Sequence, residues 1–171
     1  MVQKSSFLST LEVFFIEPTR IHFIKEISKK TNIAHTSIKN NINKLLEEKL
    51  IIPKESRPFN GYVANRENPN FIFYKKVYNF YSLKNLKDFL ETKHYPKLAV
   101  VFGSYSLGED IESSDIDILI ISREKEINLK KFEKELKREI NVLCLDNINK
   151  LDKITNKVQN GFVILGGFDN L

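Results

Sequence analysis

The sequence predicts a two-domain chain of α+β / α/β class. An N-terminal domain of three helices with a small β hairpin precedes a C-terminal mixed β-sheet with helices. Three observations predict it. Ile24, Ile27, Ile33, Ile38, Ile42, Leu45 and Leu46 recur at helical spacing in the front half. In the rear half the apolar runs Leu98 to Phe102 and Ile140 to Leu145, and a run that starts with Asp115 and carries Ile116, Ile118, Leu119, Ile120 and Ile121, have the length of buried strands. The charge is also divided: residues 1–95 carry 16 Lys+Arg against 9 Asp+Glu, and residues 96–171 carry 11 against 13, within a net charge of +5. A basic front and a near-neutral rear imply two jobs. The expected boundaries are 1–65 for the first domain, 66–95 for an aromatic-rich helical connector, and 96–171 for the second domain.

In the front half, a first helix is expected from about Phe7 to Phe15, ended by Pro18. A second spans about His22 to Lys30 and a third about Thr36 to Lys49, parted near Thr31-Asn32. Helix, short polar turn, helix is the helix-turn-helix arrangement. Pro53 to Val63, with two prolines and an Asn60-Gly61 turn, reads as a hairpin wing. The stretch NIAHTSIKNNINKLLEEKLI resembles the recognition-helix region of winged helix-turn-helix proteins, although Ala34 stands where a capping Ser or Thr is commoner. The third helix keeps its apolar residues on one face. Its other face offers His35, Thr36, Ser37, Lys39, Asn40, Asn43 and Lys44, and the wing adds Lys54 and Arg57. Such side chains read base edges or hold phosphates, and a helix fits the major groove. Duplex DNA is the partner this predicts. The same face is otherwise an ordinary solvated surface of a protein-binding domain.

Residues 64–95 join the halves. After the break at Pro69, Phe71, Phe73, Tyr74, Tyr78, Phe80 and Tyr81 lie in one or two helices with Leu83, Leu86, Phe89 and Leu90. Aromatics at helical spacing are read as packing rather than as a stacking platform for bases.

The most informative run is VVFGSYSLGEDIESSDIDILI, residues 100–120. An apolar strand stops at Gly103-Ser104, and a second begins with Asp115 and Asp117. Side chains alternate across a strand, so these two carboxylates share a face. Like charges on one rim repel unless a cation lies between them, and Mg²⁺ (or Mn²⁺), which arrives with phosphates, suits the oxygen donors. Gly103 permits close approach of a ligand, and Ser104 offers a hydroxyl and an N–H to a phosphate oxygen. A solvated acidic turn between core strands is the plain alternative.

The motif GSYSLGEDIESSDID resembles the nucleotidyltransferase fold of the DNA polymerase β superfamily, in its minimal branch, over roughly residues 96–171. The whole order resembles an archaeal family of winged-helix proteins fused to a minimal nucleotidyltransferase. The resemblance implies catalytic, metal-holding Asp115 and Asp117, and Gly103 and Ser104 on the nucleotide. Family members carry a third carboxylate on the third strand, and the matching position here is Asn141, which carries no charge and cannot act as a base. Asp146, five residues on, has the wrong parity, and Glu139 flanks the position just before the expected strand. Glu109, Asp110 and Glu112 lie on a loop close in sequence to the site. Behind the Asp-x-Asp strand, a helix of about Leu129 to Arg138, a strand Ile140 to Leu145 and a helix of about Ile148 to Val158 are expected. The apolar tail NGFVILGGF packs back onto the sheet.

The leading expectation is an enzyme that moves a nucleoside monophosphate from an Mg-NTP, with ATP the first candidate, onto a hydroxyl of a protein or RNA. The rival is a DNA-binding regulator whose degenerate nucleotidyltransferase domain senses nucleotide only. A toxin–antitoxin component is a third reading, because related minimal domains act there. Winged domains often pair, so a homodimer is compatible with all three. No apolar stretch reaches eighteen residues, and the N-terminus lacks the pattern of a secretory leader. The single cysteine, Cys144, lies in an apolar run and reads as a core thiol, which fits a reducing cytoplasm. His22, His35 and His94 show no zinc spacing.

Overall fold

The computed structural model describes residues 5–122, 127–146 and 158–167. Its chain divides between Lys75 and Lys76 into two compact units. The residues expected to form a separate connector are therefore shared out. The division falls within the aromatic helix itself.

The first unit begins with helix α1 (Ser6–Ile16), whose Ser5 cap accepts a hydrogen bond from the Leu8 N–H at 3.2 Å. Its Leu11, Val13, Phe14 and Phe15 are buried. Helices α2 (Ile24–Thr31) and α3 (His35–Glu47) follow. Asn32 ends α2 in the left-handed region at φ 55, a conformation Asn tolerates better than most residues. Ala34 starts α3 without a side-chain cap, as its chemistry requires. Strands β1 (Ile51–Lys54) and β2 (Gly61–Ala64) form an antiparallel hairpin, pairing Ile51 with Ala64 and Lys54 with Gly61.

His22 departs from expectation. It does not begin the second helix but makes an isolated antiparallel bridge with Tyr62, exchanging main-chain hydrogen bonds of 2.8 and 2.9 Å. The helical spacing of Ile24 and Ile27 could not reveal a partner supplied by the hairpin. Gly61 makes this approach feasible, because a Cβ there would stand 2.9 Å from the His22 carbonyl oxygen. The His22 ring is fully buried, edge-on to Phe14 at 5.1 Å between centroids. That burial holds the imidazole below its ordinary pKa.

Helix α4 (Pro69–Ser82) supplies buried Phe71 and Lys75 to the first unit. Phe71 packs on Phe15, and the Lys75 ammonium donates to the Phe15 carbonyl at 2.8 Å.

The second unit holds the end of α4, α5 (Lys84–Lys93), β3 (Leu98–Phe102), α6 (Gly103–Leu107), β4 (Ile116–Ile121), α7 (Lys130–Leu136), β5 (Ile140–Leu145) and β6 (Phe162–Gly166). The sheet order is β5-β4-β3-β6, mixed: β4 runs parallel to β5, and β3 is antiparallel to both β4 and β6. Side-chain alternation divides the strands between two apolar layers. Ala99, Val101, Ile116, Ile118 and Ile120 pack with Leu83, Leu86 and Leu90 of the α5 region and with Phe132 of α7. Leu98, Val100, Leu119 and Ile121 pack on the opposite face with Val158. Leu83, Leu86 and Leu90 thus belong to the core of the sheet. The tail packs back as β6, on the free side of β3. Of the helix expected over Ile148 to Val158, residues 148–157 lie outside the described residues.

Candidate active site

Asp115 and Asp117 stand at the start of β4, on the face that continues into Leu119 and Ile121. Both carboxylates are half-buried. The parallel register aligns Asp117 with Asn141 of β5, directly across the strand pair. The Asn141 Nδ2 group donates to Asp115 Oδ2 at 3.1 Å and to Asp117 Oδ1 at 3.3 Å. Carboxylates only accept, so the amide must turn its NH₂ toward them. Two donated hydrogens offset part of the repulsion between the acids. Asn141 thus touches both aspartates.

Gly103 closes the site from the other side. β3 pairs Phe102 with Asp117, and the chain turns at once into α6 with Gly103 at φ +71. A Cβ at Gly103 would lie 2.7 Å from Asp117 Oδ2. The glycine therefore makes room for the aspartate as well as adopting a left-handed backbone. Ser104 follows in the first turn of α6, half-buried, and its carbonyl accepts from the Glu109 N–H at 3.0 Å.

A buried polar network holds α6, and the sequence alone did not disclose it. The Asn79 amide donates to the Tyr105 carbonyl and to Asp110 Oδ1, both at 2.8 Å. The Ser82 hydroxyl donates to the Asn79 carbonyl, which leaves the Tyr105 phenol to donate to Ser82 Oγ at 2.8 Å. Burial pushes the Tyr105 phenol up to about 12, with a like-signed contribution from Asp110. Asp110 is 1% exposed, with Arg138 Nη2 at 3.5 Å, and Arg138 Nη1 donates to the Glu112 carbonyl at 2.6 Å. Asp110 is thus committed to the scaffold and is no third acid for the site. Glu139 gives its main-chain carbonyl to the Ile116 N–H, and Asp146 lies exposed beyond the end of β5.

The oxygens of Asp115 and Asp117 form a hard donor set, which a turned Asn141 amide oxygen could join. That chemistry fits Mg²⁺ or Mn²⁺. The glycine cradle leaves the Asp117 carboxylate unobstructed, so the residues present fit such an ion.

On α3, His35, Thr36, Lys39, Asn40, Asn43 and Lys44 are exposed and Ser37 is half-buried, while Ile38, Asn41, Ile42 and Leu45 are buried. Asn41 is spent internally, donating to Thr10 Oγ1 at 2.9 Å. Lys54 and Arg57 of the hairpin are exposed. Cys144 is half-buried against the sheet core, and burial raises its thiol pKa. Among the described residues, no helix is long and apolar enough to cross a membrane.

Residues 83–164 match the family model described as a nucleotidyltransferase domain. The matched segment takes in α5, Gly103, Ser104, Asp115, Asp117 and Asn141. No curated protein matches the chain. Among solved structures, a chain from "Crystal structure of the toxin-antitoxin with AMP-PNP" is similar at 20% identity and a TM-score of 0.40, covering 52% of this chain and 76% of that one.

Proposed function

We propose that the protein is a nucleotidyltransferase that passes a nucleoside monophosphate from an NTP to a hydroxyl of a protein or RNA. The observation that carries this reading is the paired Asp115 and Asp117 carboxylates, bridged by Asn141 and seated against Gly103, inside the segment that matches the nucleotidyltransferase domain. Asp115 and Asp117 would hold Mg²⁺ or Mn²⁺, which when bound neutralises phosphate charge. Ser104 supplies a hydroxyl and an N–H to the terminal phosphates. The acceptor oxygen forms a bond to the α-phosphorus, the bond to pyrophosphate breaks, and the hydroxyl proton leaves. Asn141 has no lone pair basic enough to take that proton, so it goes to water or to a group on the acceptor.

The first unit reads best as a winged helix-turn-helix domain that holds duplex DNA. The support is a solvated α3 face bearing His35, Thr36, Lys39, Asn40 and Lys44, beside a hairpin bearing Lys54 and Arg57. ATP is the proposed first donor and a homodimer is compatible with a two-fold DNA site. The amide at position 141 favours a second reading, a DNA-binding regulator that senses nucleotide without turnover.

Incubation with each labelled NTP, Mg²⁺ or Mn²⁺ and cell extract separates the two. Label on a macromolecule that disappears with Asp117→Asn supports transfer. Nucleotide binding with no label on any acceptor, in either metal, leaves the sensor.

A further inference from the structure

A second group of ligating side chains lies in the first unit. The donor atoms of Glu17, His22 and Glu26 are all within 4.8 Å of one another. We propose that these three residues bind a zinc-class divalent cation through the His22 Nδ1 and the two carboxylates, with Lys30 as the group the ion displaces.

The two nitrogens of His22 are held differently. Nε2 is 2.9 Å from the main-chain oxygen of Glu17. A carbonyl only accepts, so Nε2 carries the hydrogen and Nδ1 presents a lone pair. That Nδ1 is buried and has no hydrogen-bond partner. The charged atom it faces, Glu17 Oε2 at 3.9 Å, has no proton to give. A buried acceptor opposite a carboxylate is unfavourable, and a cation relieves both at once. A ring N–H fixed on a backbone carbonyl, with the other nitrogen left bare, is the arrangement that prepares histidine for a metal.

The ring is also held still. The bridge to Tyr62 fixes its backbone, and Phe14 packs edge-on against it. Glu17 caps the end of α1 and Glu26 lies in the first turn of α2, each about one-quarter exposed, so the pocket opens to solvent. One nitrogen and two carboxylates suit zinc better than they suit magnesium or calcium, which favour oxygen alone. Tetrahedral ligands at zinc distances are about 3.4 Å apart, which side-chain rotation of the glutamates reaches.

Positive charge is already drawn to this point. Lys30 Nζ bridges Glu17 Oε2 and Glu26 Oε1, and Arg20 reaches Glu26 Oε1 at 2.8 Å and Glu17 Oε1 at 3.0 Å. Glu26 Oε1 still lacks a well-directed hydrogen bond. Lys30 is a flexible, part-exposed point charge that can withdraw into solvent. Zinc binding therefore competes with an ion pair, and removing Lys30 must strengthen it.

The test is zinc titration of the full chain carrying Asp115→Asn and Asp117→Asn, which disable the other acidic cluster, with ¹⁵N-histidine spectra recorded alongside. Circular dichroism checks that each variant is folded. We expect one equivalent of zinc, a shift of the His22 Nδ1 resonance with Nε2 still protonated, and losses of affinity on the order of tenfold or more in both E17Q and E26Q. K30Q should bind more tightly than its parent. No uptake, uptake indifferent to E17Q and E26Q, or weaker binding in K30Q would show that the cluster is an ion-pair network only.

Discussion

Asn141 and Asp117 face each other across the parallel β4–β5 pair, and the amide of the first donates to the carboxylate of the second at 3.3 Å. The same amide reaches Asp115, so one neutral side chain sits where three negative charges would otherwise crowd. Its two N–H groups partly substitute for a cation, and its amide has no proton-accepting nitrogen.

Asn141→Asp should raise nucleotidyl transfer, because the nearly isosteric carboxylate adds a metal ligand and a proton acceptor together. A general base contributes about 10² to 10⁴ in rate. The variant should also melt at a lower temperature than the parent in chelator, and recover in Mg²⁺. A folded variant that binds Mg-NTP and transfers nothing would count against the enzyme.

Asp115→Ala and Asp117→Ala should each abolish metal-dependent NTP binding while leaving the fold intact, since each removes a charge that repels its neighbour. Titration calorimetry with Mg-ATP reads the affinity, and thermal melting reads the fold. Unchanged affinity in both variants would remove these residues from the metal site.

Gly103→Ala should destabilise the protein by about 1–3 kcal/mol, from a left-handed backbone and a Cβ pressed on Asp117. In the Asp117→Ala background the contact vanishes and the backbone strain remains. Denaturant unfolding of the four proteins in this cycle should show a smaller cost in that background. Equal costs in both would mean that Asp117 does not need the glycine.

Tyr105 predicts a loss of stability in alkali. Its phenol pKa is raised from near 10 to about 12 when folded, so the unfolded chain loses its proton first as pH rises. The contribution is complete below pH 10 and falls away as pH climbs through about 12, by about 3 kcal/mol in all. Tyr105→Phe should start less stable, lacking the hydrogen bond to Ser82, and lose less between those limits. Urea unfolding across that range measures both slopes.

Duplex DNA binding should be steeply salt-dependent, and each of Lys39→Ala, Lys44→Ala, Lys54→Ala and Arg57→Ala that removes a phosphate contact should flatten the slope by about 1. Gel shifts with the full chain over a salt series report this. A protein that retards no genomic fragment at low salt has a first unit built for a protein partner.

Much of this was legible, and the reason differs by element. Strands Leu98–Phe102 and Ile140–Leu145 were readable to the residue, because each apolar run ends on a residue that chemistry sets apart, Gly103 at one and Asp146 at the other. The shared face of Asp115 and Asp117 followed from parity, whereas Asn141 was set beside them only by the resemblance to the family's third-strand acid. His22 was misread because its bridge partner, Tyr62, is remote in sequence and lends no periodicity. The role of Asp110 was hidden for a similar reason: Asn79 and Arg138 come from separate elements, and a lone acid in a loop carries no sign of a buried partner. Gly103 was expected to admit a ligand, but the atom nearest its missing Cβ belongs to Asp117.

The last described strand has a consequence for how this protein tolerates cutting. β6 covers the outer edge of β3, and β3 leads directly into Gly103. Gly161, just before it, lies so close to β3 that a Cβ would stand 2.6 Å from the Val101 carbonyl. A chain truncated before residue 161 would leave a row of unpaired amides on an apolar strand, an invitation to self-association. Solubility and the aspartate edge would then be lost together, although no residue of that edge had been removed.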